Sequence, residues 1–159
     1  MNFICSPFYK FSYFCKLLKN FGLEDALSTG NKPLTVLAPT NDAFEALKGH
    51  EVFDFDKDTL KFNSLTEKET EHVLLYHIIN TQDIVYTDEN LICGNLTESA
   101  NGEKFRTRCD GKNEEIKIVR GPSQTEDLLP EIEFADINIC NGVLHFLSNV
   151  MLPNLNKAK

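Results

Sequence analysis

The chain has 159 residues, of which 42% are hydrophobic and 25% charged, with a formal net charge of −8. That length fits one domain with room for a real core, while the acidic balance argues against nucleic acid or an anionic membrane as a partner. No apolar run approaches the roughly 20 residues that a membrane-spanning helix needs, so no membrane insertion is expected.

Met1 to Ser6 lack a basic start, and Pro7 and Lys10 interrupt the apolar stretch, so no secretory signal is read there. Ser6-Pro7 makes a helix start instead, a capping hydroxyl followed by proline at the first helical position. Phe11, Phe14, Cys15, Leu18 and Phe21 follow at helical spacing, and Gly22 is placed to end the helix. The stripe is read as core packing. Leu23 to Leu27 reads as a short second helix closed by Gly30.

The β-branched and apolar run Leu34 to Leu37 predicts a short buried strand, which Pro39 ends because proline has no N–H to offer a ladder. Thr40 then caps a helix beginning at Asn41, with Asp42 in the first turn where the dipole favours a carboxylate. Phe44 and Leu47 face the core together. An acidic region with Phe53, Phe55, Leu60 and Phe62 follows, read as short turns or helices. Thr66 and Glu69 fit a capping box. In the helix they open, Thr70, Val73, Leu74 and His77 share a face, and Ile78-Ile79 leaves it as extended chain.

From Leu91 the period changes to two. Asn101-Gly102 is a preferred tight-turn pair, and beyond it Phe105, Thr107 and Cys109 alternate with Lys104, Arg106 and Arg108. In a strict two-residue hairpin Cys109 lies opposite Gly94, and Cys93 points to the other face. One extra residue in the turn brings Cys93 and Cys109 opposite each other, and in an oxidising compartment a disulfide is expected in that register. Asp110-Gly111 turns the chain again, Ile116 and Ile118 continue the sheet, and Gly121 to Asp127 is read as a loop of variable surface. In Ile132, Phe134, Ile137 and Ile139 the apolar parity flips, which a bulge near Ala135-Asp136 reconciles. Val143 to Leu147 is apolar on both sides except at His145, the pattern of a central strand. Helices first and then mostly strands predict an α+β domain, an antiparallel sheet or sandwich with helices on one side.

Five cysteines leave at least one thiol unpaired within the chain, and none forms a Cys-x-x-Cys pair. The histidines at 50, 72, 77 and 145 show no His-x-x-x-His spacing. No nucleophile elbow, phosphate-binding glycine loop or metal triad is present, so neither enzyme, metal nor cofactor is expected. His77 is read as a hydrogen-bonded, neutral ring on a buried helix face. Asn95-Leu96-Thr97 is an N-glycosylation acceptor, relevant in a secretory pathway. Lys104, Arg106 and Arg108 form a possible polyanion contact, which Glu103, Glu114 and Glu115 dilute in sequence; a solvated sheet face is the plainer reading.

Thr35-Val36-Leu37-Ala38-Pro39-Thr40-Asn41-Asp42-Ala43-Phe44 resembles the first signature segment of fasciclin domains. Leu75-Tyr76-His77 resembles that family's central Tyr-His element, and Asn141 to Leu147 with Val150-Met151-Leu152-Pro153 its closing segment. Ser148 departs from the acidic residue usual there. The resemblance treats 1–159 as a single domain with its core at about 8–153. It implies a β-sandwich of about seven strands edged by helices, in an extracellular or cell-surface setting, as one domain of a longer secreted product. It further implies a non-enzymatic adhesion or matrix-interaction module whose partners are cell-surface or matrix proteins. In some animal members integrin contact is assigned to the Tyr-His region and to an Asp-Ile pair, positions held here by Tyr76, His77, Asp136 and Ile137. The alternative is a polysaccharide- or small-ligand-binding module, with Lys104, Arg106 and Arg108 as its candidates.

Overall fold

Six consecutive buried residues, Leu34–Pro39, form strand β1 at the centre of the fold. The computed structural model describes residues 10–24, 33–80, 89–139 and 142–158. β1 lies between β4 (Ile78–Ile79), antiparallel to it, and β9 (Gly142–Leu147), parallel to it. β8 (Ile132–Ile139) pairs antiparallel with β9 and completes a four-stranded sheet in the order β4-β1-β9-β8. The parallel pair corrects the expectation of a wholly antiparallel sheet. Parallel partners need a long crossover, and almost the whole domain is that crossover.

Alternation along β1 assigns its two faces. Leu34, Val36 and Ala38 join a core with Phe11, Phe14, Leu17, Leu18, Val73 and Leu74, on the side of helices α1 (Ser12–Asn20) and α3 (Glu67–Tyr76). Leu37 faces the other way, into a second core with Tyr76, Phe105, Val119, Leu147 and Met151. That core is closed by an antiparallel sheet of β5 (Leu96–Glu98), β6 (Lys104–Asp110) and β7 (Ile116–Arg120). Each fully buried side chain of this size contributes about 1.5–3 kcal/mol. The helices pack on one side of the sandwich, as the sequence predicts. Nine strands are found among the described residues, including a small hairpin of β2 (Phe55–Asp56) and β3 (Lys61–Phe62). That hairpin replaces the turns or helices expected there, and it turns Phe53, Phe55 and Phe62 into the helical core.

The corner after β1 forms as its residues dictate. Thr40 is extended, and its hydroxyl accepts the Ala43 N–H at 3.2 Å, capping the short helix α2 (Asn41–Glu45). Asn41 does a second task. Its Oδ1 accepts the Tyr13 N–H at 3.0 Å and its Nδ2 donates to Ser12 Oγ at 3.0 Å, supplying from outside the cap that α1 lacks at Phe11. α1 begins at Ser12, and the expected Ser6-Pro7 helix start lies outside the described residues. Gly22, at φ +68°, ends it with bonds from Gly22 N–H to Lys19 O and from Leu23 N–H to Leu18 O. The expected helix over Leu23 to Leu27 falls mostly outside the described residues.

The capping box of α3 is complete: Glu69 N–H reaches Thr66 Oγ1 at 3.2 Å, and Thr66 N–H reaches Glu69 Oε2 at 2.8 Å. Gly121 and Gln124 are buried, so the loop read as variable surface is partly a brace. Gln124 Nε2 donates to Val150 O at 3.0 Å, and its Oε1 accepts the Leu152 N–H at 3.0 Å.

Candidate functional site

Tyr76 and His77 end α3 inside the protein, 0% and 1% exposed. The Tyr76 hydroxyl donates to Lys104 O at 2.8 Å, and burial pushes its pKa well above the ordinary tyrosine value. His77 lies between two backbone groups of opposite kind. Nδ1 is 2.8 Å from Val73 O, which can only accept, so Nδ1 carries the proton. Nε2 accepts the Met151 N–H at 2.9 Å, so it is bare. The ring is neutral, and burial lowers its pKa to about 4, outweighing the carbonyl of Val73, which works the other way. His77 thus fastens α3 to the segment following β9. It has the structural role read from its helix face, and its side chain is not available at the surface.

Asp136 and Ile137 lie across the sheet from it. The register of β8 shifts between Ile132 and Phe134 and again between Phe134 and Ile137. Asp136 adopts φ +59°, so the bulge expected near Ala135-Asp136 is present. The Asp136 N–H is held by Nδ1 of buried His145 at 3.2 Å. Asp136 is exposed and Ile137 half-buried. Leu37 N–H bonds to His77 O at 2.8 Å, and Leu37 is in register with His145. His77 and Asp136 therefore end one row of the sheet, with β1 and β9 between them, and the four residues do not share a surface patch. Beside the bulge Phe134 is 63% exposed and stands edge-on to Phe146 at 5.7 Å. Ser148, the departure in the closing segment, accepts the Glu131 N–H at 2.9 Å and so ties the end of β9 to the approach to β8.

On the other sheet Lys104, Arg106 and Arg108 face solvent and Phe105 and Thr107 are buried, as the alternation predicts. Cys93 and Cys109 form a disulfide, with Cα atoms 5.5 Å apart. The pairing of Thr97 with Phe105, extended by the Ser99 N–H to Glu103 O bond, is the register with one extra turn residue. Cys15 is disulfide-bonded as well. Asn95 is exposed, beside exposed Ile92 and Leu96.

Three features escaped the sequence reading. His72, 8% exposed, pairs with the carboxylate of Glu103, 4% exposed, whose other oxygen accepts the Asn154 N–H at 3.1 Å. Glu103 is therefore turned away from the cationic strand face it was expected to dilute. The available signal was the i, i+4 spacing of His72 and Tyr76, a second buried face on α3. Arg120 joins the basic face from β7, directly opposite Arg106. Gly142 meets β1 so closely that a Cβ there would lie 1.7 Å from Leu34 O. Among the described residues no group of three or more His, Cys, Asp or Glu is placed to hold a metal, and no helix is long and apolar enough to cross a membrane.

Helices on one face of a mixed sheet, a three-stranded sheet on the other, and a buried Tyr-His pair joining helix to sheet define an α+β sandwich. Residues 9–153 match the family model described as the Fasciclin domain, and the chain belongs to that family. It is 31% identical over 145 residues to human stabilin-1, an alignment covering 90% of this chain and 5% of that protein. It is 29% identical over 155 residues to pig transforming growth factor-beta-induced protein ig-h3, covering 94% of this chain and 19% of that one. Human periostin is 28% identical over 120 residues, covering 76% and 12% respectively. The chain thus spans less than a fifth of the length of each of these relatives. Among solved structures, a FAS1 domain pair from the insect cell adhesion molecule fasciclin I matches with a TM-score of 0.62 at 14% identity. That match covers 92% of this chain and 46% of the pair and bears on the fold.

Proposed function

We propose that the chain is a single extracellular, non-enzymatic adhesion or matrix-interaction domain that holds a protein partner at the bulged edge of β8. The carrying observation is Phe134, 63% exposed on the terminal strand of the main sheet and flanked by exposed Asp136. A large exposed aromatic side chain is the kind of anchor around which protein interfaces concentrate their energy, and a carboxylate beside it adds direction. Fasciclin family membership and the likeness to a domain pair from a cell adhesion molecule support the class of function. The Cys93–Cys109 disulfide supports an oxidising, extracellular compartment. In this reading Asp136 and Ile137 touch the partner, while Tyr76 and His77 act through the fold. The test is cell attachment to surfaces coated with the domain, comparing wild type with Phe134→Ala and Asp136→Ala. Attachment should fall while the thermal midpoint moves by no more than about 2 °C, as for surface substitutions. Full attachment by both variants would refute the assignment.

A further inference from the structure

We propose that Arg106, Arg108 and Arg120 form a binding site for the sulfate groups of a sulfated polysaccharide, and that Glu126 is a tethered carboxylate occupying it until such a polymer displaces it. This goes beyond the protein contact at β8 and lies on the other sheet.

The chain carries a net charge of −8, yet Arg106 and Arg120 are directly opposite each other on neighbouring strands. Like charges so placed destabilise a sheet. Arg108 shares the same outward face two residues along β6. Lys104 is less available to this cluster than its spacing implied, because it lies opposite Glu98 of β5, whereas Arg106 lies opposite apolar Leu96. The cationic centre therefore sits toward β7, and Arg120 belongs to it.

Glu126, on the short 3-10 turn Glu126–Leu128, supplies the compensating charge. Its Oε1 accepts from Arg120 Nη1 at 2.5 Å, and its Oε2 lies 3.6 Å from Arg108 Nη1. Hydrogen bonding to Arg120, followed by the charges of Arg120 and Arg108, holds its pKa below the usual glutamate range. Yet its side chain is 68% exposed, so rotation into solvent empties the position without disturbing the core. Arg106 gives one bond, from Nη1 to Gly94 O at 2.5 Å. A guanidinium has five N–H donors in a fixed fork, so all three arginines keep donors for an incoming oxoanion. Alternate residues on a strand are about 7 Å apart and neighbouring strands about 5 Å apart. That is the scale on which sulfates repeat on adjoining sugar rings. The Cys93–Cys109 disulfide fixes the sheet beside Arg108, which lowers the ordering cost of binding.

The experiment measures binding of a heparin-derived octasaccharide by calorimetry at physiological salt, with the folded state of each variant checked by its thermal midpoint. Wild type should bind, and Arg106→Ala and Arg120→Ala should each weaken binding about tenfold, the loss of one charge-assisted contact. Glu126→Gln should strengthen it severalfold, whereas Glu67→Gln, an equal change in net charge at the first turn of α3, should not. The proposal is overturned if neither wild type nor Glu126→Gln binds, or if Glu126→Gln is no tighter than Glu67→Gln. It is equally overturned if an unsulfated, carboxylated polysaccharide or single-stranded DNA of similar length binds as tightly. If Glu126 serves only to brace the turn, Glu126→Gln will lower the thermal midpoint and leave binding unchanged, which also overturns it.

Discussion

Replacing His77 with alanine separates the roles of this residue and carries a pH signature that few substitutions share. The ring bridges Val73 O at 2.8 Å and the Met151 N–H at 2.9 Å and packs against Phe14 with centroids 5.8 Å apart. Its removal strands two buried backbone groups at about 1–3 kcal/mol each and adds a cavity. A total of at least about 3 kcal/mol, or roughly 6 °C or more in thermal midpoint, follows for a chain of this size. In the unfolded chain the ring takes a proton near its ordinary value of 6.5; in the folded protein it does so only near about 4. Between those values the unfolded state binds the extra proton, so acidification favours unfolding, by about 3 kcal/mol in all. Above pH 6.5 that stability is fully present, and below about 4 nothing further is lost. Urea denaturation of wild type and His77→Ala at pH 7, 5.5 and 4 tests this. The gap between them should be widest at pH 7 and narrow toward pH 4, and other titrating groups cancel in the difference. Parallel curves would refute the neutral buried ring. Normal stability with lost attachment would make His77 a contact residue.

Removing the Cys93–Cys109 disulfide by Cys93→Ser should cost about 3 kcal/mol from the closed loop, and non-reducing peptide mapping of wild type should recover the two cysteines linked. Gly142→Ala should cost at least about 3 kcal/mol, since its Cβ would meet Leu34 backbone rather than a side chain that can move, and circular dichroism melting checks it. Expressed through a secretory pathway, the protein should carry an N-glycan at exposed Asn95, over the flanking Ile92 and Leu96; intact mass before and after glycosidase treatment, with Asn95→Gln as control, decides it.

Local signals proved readable. The Thr40 cap, the Thr66–Glu69 box, the Gly22 stop and the β6 alternation each depend on residues within a few positions of one another, and each forms as its chemistry requires. The bulge at Asp136 was legible because a parity flip in an apolar strand has few geometric remedies. Contacts distant in sequence were not. Nothing local marks β1 and β9 as parallel neighbours, and nothing near Glu103 points to His72. The hairpin register turned on one residue at Asn101-Gly102, which residue preference alone leaves open. For the candidate contacts, the burial of His77 was legible from its helix face, whereas that of Tyr76 was not, and Arg120 entered the basic face only through pairing across two strands.

The parallel pairing of β1 with β9 also sets a timetable for the nascent chain. Leu37 leaves the ribosome roughly a hundred residues before His145, the residue beside which it finally lies. At about 5–20 residues per second, that interval lasts on the order of 5–20 s. Throughout it, the six apolar-rich positions of β1 lack at least one of their two neighbours, and both until β4 emerges. An unpaired strand edge of this kind invites pairing with other chains. Closure of the sheet by so distant a partner is also slow in itself. The domain is thus one whose yield should depend on protection during synthesis, and a stop codon anywhere before Gly142 leaves β1 with no β9 to receive it.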